Sequence, residues 1–262
     1  YFDWEYPEVI HWGHVQVDAY DVKLSTSTLK EKIDAGELDG WDDPRAPTLK
    51  SLRRRGIRGE AVVDALIGLG TSTSNVDLSM SSIYAANREL VDDDAERYFL
   101  VRDGERFDVE GGPDAGHPPL HPDHEERGER TIPAADGVLL EPDDVPAPGE
   151  RVWLKGYACV RREASGDAEA AGDGTGADGG TLVATDDGIE VVRDGDVDVV
   201  HWVPAADNVD VRMRTPDGDV GGVAEPDFGV TSVDDVIQFE RIGFARVDDH
   251  GAAESVTYWT HP

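Results

Sequence analysis

The chain has 262 residues, 39% of them hydrophobic, and its 56 acidic side chains outnumber 24 lysines and arginines, for a formal net charge of −32. This length predicts two or three compact units, and the aromatic and aliphatic residues that recur throughout exclude an acidic disordered region. At molar salt the Debye length falls to about 3 Å and screens the repulsion between acidic side chains, so the composition predicts adaptation to concentrated salt.

Cysteine usage and hydropathy exclude further classes. The single cysteine, Cys159, cannot form an internal disulfide, and the histidines lack regular ligand spacing, so we predict no metal site. No apolar run approaches the roughly 20 residues of a membrane helix, and no basic-then-apolar leader opens the chain. Because the chain begins with Tyr1 and not with a methionine, we expect a cytoplasmic piece of a longer protein.

The first 96 residues are predicted to be mostly helical after one strand-like run, Val15 to Lys23. Thr28 and Glu31 are spaced as a capping box, which predicts a helix that ends near Gly36. Two further helices are predicted over Thr48 to Arg55 and Ser81 to Val91. Between them, a helix that ends at Gly70 is predicted from the apolar spacing of Val62, Ala65, Leu66 and Leu69.

From Arg97 onward the apolar period changes to two, which is typical of strands. Apolar and polar positions alternate through Arg151, Val152, Trp153, Leu154, Tyr157, Ala158, Val160 and Arg161, and again through Asp196, Val197, Asp198, Val199, His201, Trp202 and Val203. Many short strands without intervening helices predict antiparallel barrels. The Gly-, Ala- and Asp-rich run 165–180 cannot bury a core and is predicted to be a mobile loop.

Two segments resemble a known family. They are Gly40-Trp41-Asp42-Asp43-Pro44-Arg45-Ala46-Pro47-Thr48 and Leu52-Arg53-Arg54-Arg55-Gly56, and they are similar to the segment after the signature loop of glutaminyl- and archaeal-type glutamyl-tRNA synthetases. The runs Val200 to Pro204 and Gln238 to Arg241 extend this resemblance. It implies an α+β multidomain fold: the end of a class I Rossmann catalytic domain, a small helical bundle that contacts the tRNA stem, and two antiparallel anticodon-binding β-barrels.

The resemblance also implies domain boundaries and an activity. It assigns the catalytic domain's end to 1–30, the stem-contact domain to 31–96, and the barrels to 97–262, with a distal barrel at about 121–205 and a proximal barrel from 97–120 and 206–262. The full-length protein is expected to be a monomeric glutamate–tRNA ligase without membrane contact. Its substrates would be glutamate, ATP with Mg²⁺, and tRNA(Glu), with tRNA(Gln) left open as a second tRNA substrate. The isolated chain is expected to be inactive.

Two alternatives stay open, a glutaminyl-tRNA synthetase and a non-catalytic tRNA-binding module. The resemblance assigns the signature loop, which closes over ATP in the family, to Lys23, Leu24, Ser25, Thr26 and Ser27. Thr28 occupies the position of a final lysine in archaeal glutamyl enzymes, so Lys30 is the candidate substitute cation. Taken alone, a Ser/Thr run before a helix is more commonly a simple cap. The Leu-Ser-Thr-Ser form favours the glutamyl over the glutaminyl enzyme.

The resemblance assigns tRNA contacts to Arg97, Gln238, Arg151, Trp153, Lys155, Arg53, Arg54 and Arg55. Arg97 and Gln238 match residues that contact the central anticodon base in the glutaminyl relative, and their forked donors suit base edges. Without the resemblance, Arg97 would be read as pairing with Glu96 or Asp94, and Gln238 as facing solvent.

The other tRNA contacts have alternatives as well. Trp153 could stack on a base or lie in a core. The three consecutive arginines, Arg53 to Arg55, could bind phosphates or pair with acids on the helical surface.

Overall fold

The computed structural model describes residues 7–9, 11, 13, 15–17, 20, 25–70, 75–163 and 178–262. The chain divides into two compact units. The first consists of Tyr1–Asp94, Thr215–Gly218 and Thr260–Pro262, and the second of Ala95–Arg214 and Asp219–Trp259. Most of the predicted mobile loop, 165–177, lies outside the described residues, and the last three residues of that run begin a strand.

The first unit is built from short helices and a small parallel strand pair. Its helices are α1 (Thr26–Asp34), α2 (Leu49–Arg54), α3 (Gly59–Leu69) and α4 (Met80–Val91). The strands β1 (Val15–Val17) and β2 (Val76–Leu78) pair in parallel. Residues of α2, β2 and α4 supply one buried apolar cluster, and Leu29, Leu38 and Ala46 form a second around α1.

The start of α1 differs from the predicted capping box. The N-cap is Ser25, in extended backbone with φ −145° and ψ 125°, and Leu29 N donates the first helical hydrogen bond to Ser25 O at 2.9 Å. Thr28 and Glu31 therefore lie inside the helix. Every residue from Ser25 to Thr28 has a hydroxyl suited to a cap, so side-chain chemistry alone could not select the residue at which the backbone turns. In α2 the cap is the predicted Thr48, whose hydroxyl accepts from Ser51 N at 3.0 Å.

The second unit holds most of the residues of two seven-stranded sheets. The first sheet has the order β12-β9-β10-β11-β5-β8-β13, and the second β3-β16-β17-β18-β14-β15-β4. The strands are β3 (Arg97–Tyr98), β4 (Leu100–Val101), β5 (Glu105–Glu110), β6 (Ala115–Gly116), β7 (Ile132–Pro133), β8 (Val138–Leu140), β9 (Arg151–Leu154), β10 (Ala158–Arg162), β11 (Asp178–Ala184), β12 (Asp198–Val200), β13 (Val203–Pro204), β14 (Val209–Thr215), β15 (Gly218–Ala224), β16 (Val236–Phe239), β17 (Gly243–His250) and β18 (Ser255–His261). The pair β6–β7 stands apart from both sheets.

Short helices connect several of these strands. They are α5 (Glu190–Arg193) and the 3-10 helices Glu125–Arg127, Pro142–Asp144 and Pro226–Val230. Each sheet has its own apolar core: Phe107, Leu154 and Trp202 are fully buried under the first sheet, and Phe228, Phe239 and Val247 under the second.

The sheets are curled and barrel-like, but they are mixed and not purely antiparallel as predicted. In the first sheet β11 runs parallel to β5 and β12 parallel to β9. In the second, β14 runs parallel to β18 and β3 parallel to β16. An alternating pattern specifies which side of a strand is buried, but it carries no information on the direction of the neighbouring strand.

Sheet membership also differs from the predicted division at one strand. The strand β5 pairs with β8 and β11, so residues 105–110 belong to the first sheet, with the strands of 138–204. The resemblance implies that they lie in the proximal barrel with 206–262. The alternating pattern of β5 does not specify which strands lie beside it, so its pairing is decided by tertiary packing.

The alternation predicted for 196–203 fails at two positions, Val199 and Trp202. Val199 is 40% exposed, whereas Val200 is 3% exposed and belongs to the core. The segment does not continue as one strand, because β12 ends at Val200 and β13 begins at Val203. Trp202 between them is fully buried, and its Nε1 donates to Lys155 O at 3.0 Å. The ladder is thus interrupted at Trp202, and the period of two does not extend across it.

Candidate nucleic-acid interface

Two of the predicted base-reading residues, Arg97 and Gln238, are brought together by the second sheet. They are direct Cα partners in the neighbouring parallel strands β3 and β16. Gln238 N donates to Glu96 O at 2.9 Å, which holds the two strands in this register. Residues far apart in sequence therefore share one position at the edge of the sheet, where β3 is the terminal strand.

The two side chains differ in their surroundings. Arg97 is only 5% exposed; its Nη1 donates to Ala95 O at 2.6 Å, and its guanidinium carbon lies 5.7 Å from the centroid of the Phe244 ring. Gln238 is half-buried, and within the part of the chain that the structure describes its side-chain amide makes no hydrogen bond. The amide of Gln238 is therefore available to a ligand beside an anchored arginine.

The strand β9 carries a second group of predicted contacts. Val152 and Leu154 point into the core, while Arg151 is exposed and Trp153 is half-buried on the opposite side of the strand. Arg151 Nη1 lies 2.7 Å from Asp187 Oδ2, in an ion pair with exposed partners. Trp153 is therefore not a residue of the core face, and its indole belongs to the outer face of the first sheet.

Lys155, immediately after β9, takes part in a cluster that was not predicted. Its Nζ forms an ion pair with Glu240, and the same carboxylate lies 3.4 Å from His201 Nε2. Burial raises the pKa of Glu240, but the hydrogen bonds from His201 and Lys155 and their charges prevail and lower it to about 2. Lys155 is thus engaged within the protein, whereas the sequence suggested a free tRNA contact.

A buried arginine–glutamate pair lies beside this cluster. Arg130 Nε and Glu225 Oε1 are 3.2 Å apart, and both side chains are fully buried. The Arg130 guanidinium lies 4.6 Å from the centroid of the Phe99 ring, and Phe99 N donates to Glu225 Oε1 at 3.0 Å. Burial raises the pKa of Glu225 to about 8, against the opposing charge of Arg130. No pattern in the sequence pointed to this pair, because its members belong to no motif.

The three consecutive arginines of the first unit, Arg53 to Arg55, have different surroundings. Arg53 is exposed, and Arg54 Nη1 lies 2.7 Å from Asp42 Oδ2. Arg55 is fully buried, and its guanidinium donates to the hydroxyls of Tyr20 and Tyr84 and to Thr260 O, each at 2.8 Å. The predicted phosphate contact is not retained for Arg55, because a guanidinium enclosed by three acceptors cannot reach a phosphate.

The Trp-Asp-Asp-Pro-Arg segment is organised around Asp43, which is 1% exposed. Its carboxylate accepts from Asp39 N and Arg45 N, each at 2.9 Å, and from the guanidinium of Arg45. Burial raises the pKa of Asp43, but the hydrogen bonds from Arg45 and from the two backbone amides lower it to about 2. At the end of the segment, the hydroxyl of Thr48 donates to Trp41 O. These residues hold the shape of a loop.

The predicted signature loop is described only in part. Ser25, Thr26 and Ser27 lie at the start of α1, where the hydroxyls of Ser25 and Ser27 are 3.1 Å apart. Lys30 is exposed on the same helix. Lys23 and Leu24 lie outside the described residues. The assignment of these residues to ATP stays a prediction.

Within the described ranges, no group of three or more His, Cys, Asp and Glu side chains could hold a metal ion. Cys159 is buried and forms no disulfide. None of the described helices has the length and hydropathy to cross a membrane.

Comparison with known families bears directly on the second unit. Two family models match it, over residues 95–175 and 199–248, and both are described as the anticodon-binding domain of class I (E and Q) tRNA synthetases. The chain belongs to the class I (E and Q) tRNA synthetases. The resemblance inferred from the Trp-Asp-Asp-Pro-Arg and Gln-Phe-Glu-Arg segments is confirmed.

Individual relatives match the whole chain. It is 63% identical over 262 residues to the glutamate–tRNA ligase of Natronomonas pharaonis and 60% identical over 272 residues to that of Haloquadratum walsbyi. It is 35% identical over 264 residues to the glutamate–tRNA ligase of Methanosarcina barkeri. Each alignment covers 100% of this chain and 43–44% of the relative, so the chain spans less than half the length of the curated relatives it matches. The salt-adapted composition agrees with the haloarchaeal relatives.

Proposed function

We propose that the full-length protein is a monomeric, cytoplasmic enzyme that attaches glutamate to tRNA(Glu) at the expense of ATP, and that this chain recognises the anticodon. The observation that carries the proposal is the pairing of Arg97 with Gln238 in β3 and β16, within the matched anticodon-binding domains. The ligase names of relatives that are 60–63% identical support the choice of glutamate.

The chemistry of the pair suits an unpaired pyrimidine base. The edge of a uridine base presents two carbonyl acceptors and one N–H donor. The amide of Gln238 supplies a donor and an acceptor, and the guanidinium of Arg97 supplies further donors. Because Arg97 is anchored by Ala95 O, little side-chain entropy remains to be lost on binding.

The outer face of β9 supplies a second contact region in this proposal. Trp153 offers a flat surface on which a base can stack, and Arg151 next to it can exchange Asp187 for a phosphate. Arg53 and Arg54 are assigned to the phosphates of the tRNA stem. The same proposal treats residues 31–96 as the stem-contact domain and residues 1–30 as the end of the catalytic domain.

The net charge of −32 requires that tRNA binding depend on local contacts. At molar salt the long-range repulsion between two polyanions is screened. Salt also weakens phosphate-driven affinity steeply, so contacts to bases must carry more of the binding free energy than in a dilute buffer. A half-buried glutamine, an anchored arginine and a partly exposed tryptophan suit this requirement.

The test is aminoacylation by the full-length protein in concentrated KCl. With glutamate, the Gln238→Ala variant should raise the KM for tRNA(Glu) of cognate anticodon. A tRNA whose central anticodon base is substituted should show the same high KM with the unsubstituted protein and with the Gln238→Ala variant. Equal losses by Gln238→Ala on both tRNAs would sink the base-reading role.

Amino-acid-dependent ATP–pyrophosphate exchange decides between the enzyme classes. Glutamate should support exchange by the full-length protein, whereas glutamine should not. Exchange with glutamine alone would favour the glutaminyl enzyme, and no exchange with either amino acid would favour a non-catalytic tRNA-binding module. The isolated 262-residue chain is expected to support exchange with neither amino acid.

A further inference from the structure

Glu240 connects the two sheets of the second unit. It follows β16, a strand of the second sheet, directly and lies two residues after Gln238. Its partners come from the first sheet: Lys155 follows β9, and His201 lies between β12 and β13. One carboxylate thus joins the strand that carries Gln238 to the strand that carries Trp153.

The contact is shielded from solvent. The side chains of Glu240 and His201 are 16% and 10% exposed, and that of Lys155 is 34% exposed. The His201 ring stacks on Phe99 with centroids 4.6 Å apart and an interplanar angle of 14°. Arg130 Nη2 lies 4.0 Å from Glu240 Oε1. The carboxylate therefore faces three basic side chains from several elements, those of Lys155, His201 and Arg130.

The backbone around Glu240 is tied to the base-reading pair. Glu240 N donates at 3.0 Å to the carbonyl oxygen of Tyr98, which is the residue after Arg97. On the other side, Lys155 N donates to Val200 O at 3.0 Å, one residue before His201. A displacement of Glu240 would therefore be transmitted to β3 and β16, and a displacement of Lys155 to β9 and β12.

We propose that Glu240 is a positioning residue for tRNA recognition, which holds the Arg97–Gln238 pair at a fixed distance from the β9 face with Arg151 and Trp153. The proposal rests on the proposed function, because both groups must bind one anticodon loop. Two separated contact regions bind a single ligand well only if their spacing is set before binding.

A shielded ion pair such as that of Glu240 suits a protein that works in concentrated salt. Exposed ion pairs are screened when the Debye length is about 3 Å, whereas buried pairs are screened much less. The shielded Glu240 cluster can therefore keep two sheets aligned under conditions in which an exposed pair such as Arg212–Glu254 contributes little.

The experiment uses the full-length protein in molar KCl, with steady-state aminoacylation and thermal unfolding of each variant. Glu240→Gln should raise the KM for tRNA about tenfold and change kcat less than about twofold, because it weakens binding and not the chemical step. The matched control is Glu254→Gln, which makes the same chemical change at an ion pair within the second sheet (Arg212 Nε to Glu254 Oε1, 2.8 Å). The control should leave both constants unchanged.

A second variant removes the Glu240–His201 contact by changing the residue on the side of the first sheet. His201→Gln should also raise the KM for tRNA. The double variant Glu240→Gln/His201→Gln should be no worse than the more impaired single variant, because both remove one contact. If Glu240→Gln does not fold, His201→Gln with the same readouts decides the question. Additive effects on KM would overturn the proposal.

The remaining outcomes separate the two proposals. If Glu240→Gln and His201→Gln lower the unfolding temperature but leave KM unchanged while Gln238→Ala raises it, Glu240 has only a structural role and the positioning proposal fails alone. If none of the three variants changes KM, the anticodon-reading function fails together with it.

Discussion

Asp43 and Arg45 bind each other within a single turn of chain, Arg45 Nε to Asp43 Oδ1 at 2.9 Å and Arg45 Nη2 to Asp43 Oδ2 at 2.6 Å. These residues belong to the Trp-Asp-Asp-Pro-Arg segment, one of those that carry the resemblance to the family. Their contacts are internal to the segment, so both side chains hold the shape of this loop. The side chains of the segment shape the entry to α2, which carries Arg53 and Arg54.

Asp43→Ala should destabilise the first unit by about 2–4 kcal/mol, because two backbone amides and a guanidinium lose a buried acceptor. Chemical unfolding of the chain in concentrated KCl measures the change. Asp42→Ala is the matched control at the adjacent position. It removes an exposed ion pair with Arg54 and should cost less than about 1 kcal/mol. Similar costs for both variants would contradict the account of this loop.

A steric prediction concerns Gly156 after β9, where φ is 71°. A Cβ at this position would meet the backbone of Pro118 at 2.6 Å. Gly149→Ala is the control, because Gly149 has a φ of 87° and a Cβ there would meet nothing within 4 Å. Both variants carry the backbone strain, and Gly156→Ala should cost about 1–3 kcal/mol more for overpacking. Equal unfolding free energies would show that the Pro118 contact can relax.

The pH dependence of stability should reflect Glu240. Its pKa of about 2 lies below the ordinary value of 4.5, so its stabilisation is complete above pH 4.5 and is lost as the pH falls toward 2. By linkage the contribution is about 3 kcal/mol. Glu240→Gln should therefore be less stable at neutral pH, and its deficit should shrink on acidification below pH 4.5. Parallel stability curves for the two proteins would refute this assignment.

Trp153 should contribute to tRNA binding through stacking. Trp153→Ala should weaken tRNA binding by about 1–3 kcal/mol, while Trp153→Phe should retain most of the affinity because an aromatic face remains. Val199 is the matched control, since it is Trp153's partner in β12 and is itself 40% exposed. Val199→Ala should have little effect in equilibrium binding at molar KCl. An equal loss for Trp153→Phe and Trp153→Ala would argue against stacking.

Local patterns predicted the helices well and the strands only in part. The apolar spacing of Val62 to Leu69 and the Thr48 cap both correspond to observed helices, because helical contacts lie within a few residues. Strand pairing joins residues that are distant in sequence, so the parallel directions of β3 and β11 left no local signal. Trp202 likewise gave no sign that it would interrupt the alternation.

The candidate site was likewise predictable only in part. Arg97 and Gln238 were identified by resemblance, and the parallel register of β3 and β16 makes them partners. Arg53, Arg54 and Arg55 are indistinguishable as side chains, yet only Arg55 meets two tyrosine hydroxyls and a backbone carbonyl in the interior. Whether an arginine is buried depends on which acceptors the fold brings to it.

The amino-acid sequence by itself determined the salt-adapted surface, the family and the residue types suited to reading bases, since these follow from composition and from contiguous segments. Only the tertiary structure decided the direction of the strands, the burial of Arg55 and the meeting of Glu240 with Lys155 and His201. Each of these depends on contacts between residues far apart in the chain, and a buried charge is stable only where the fold supplies its partner.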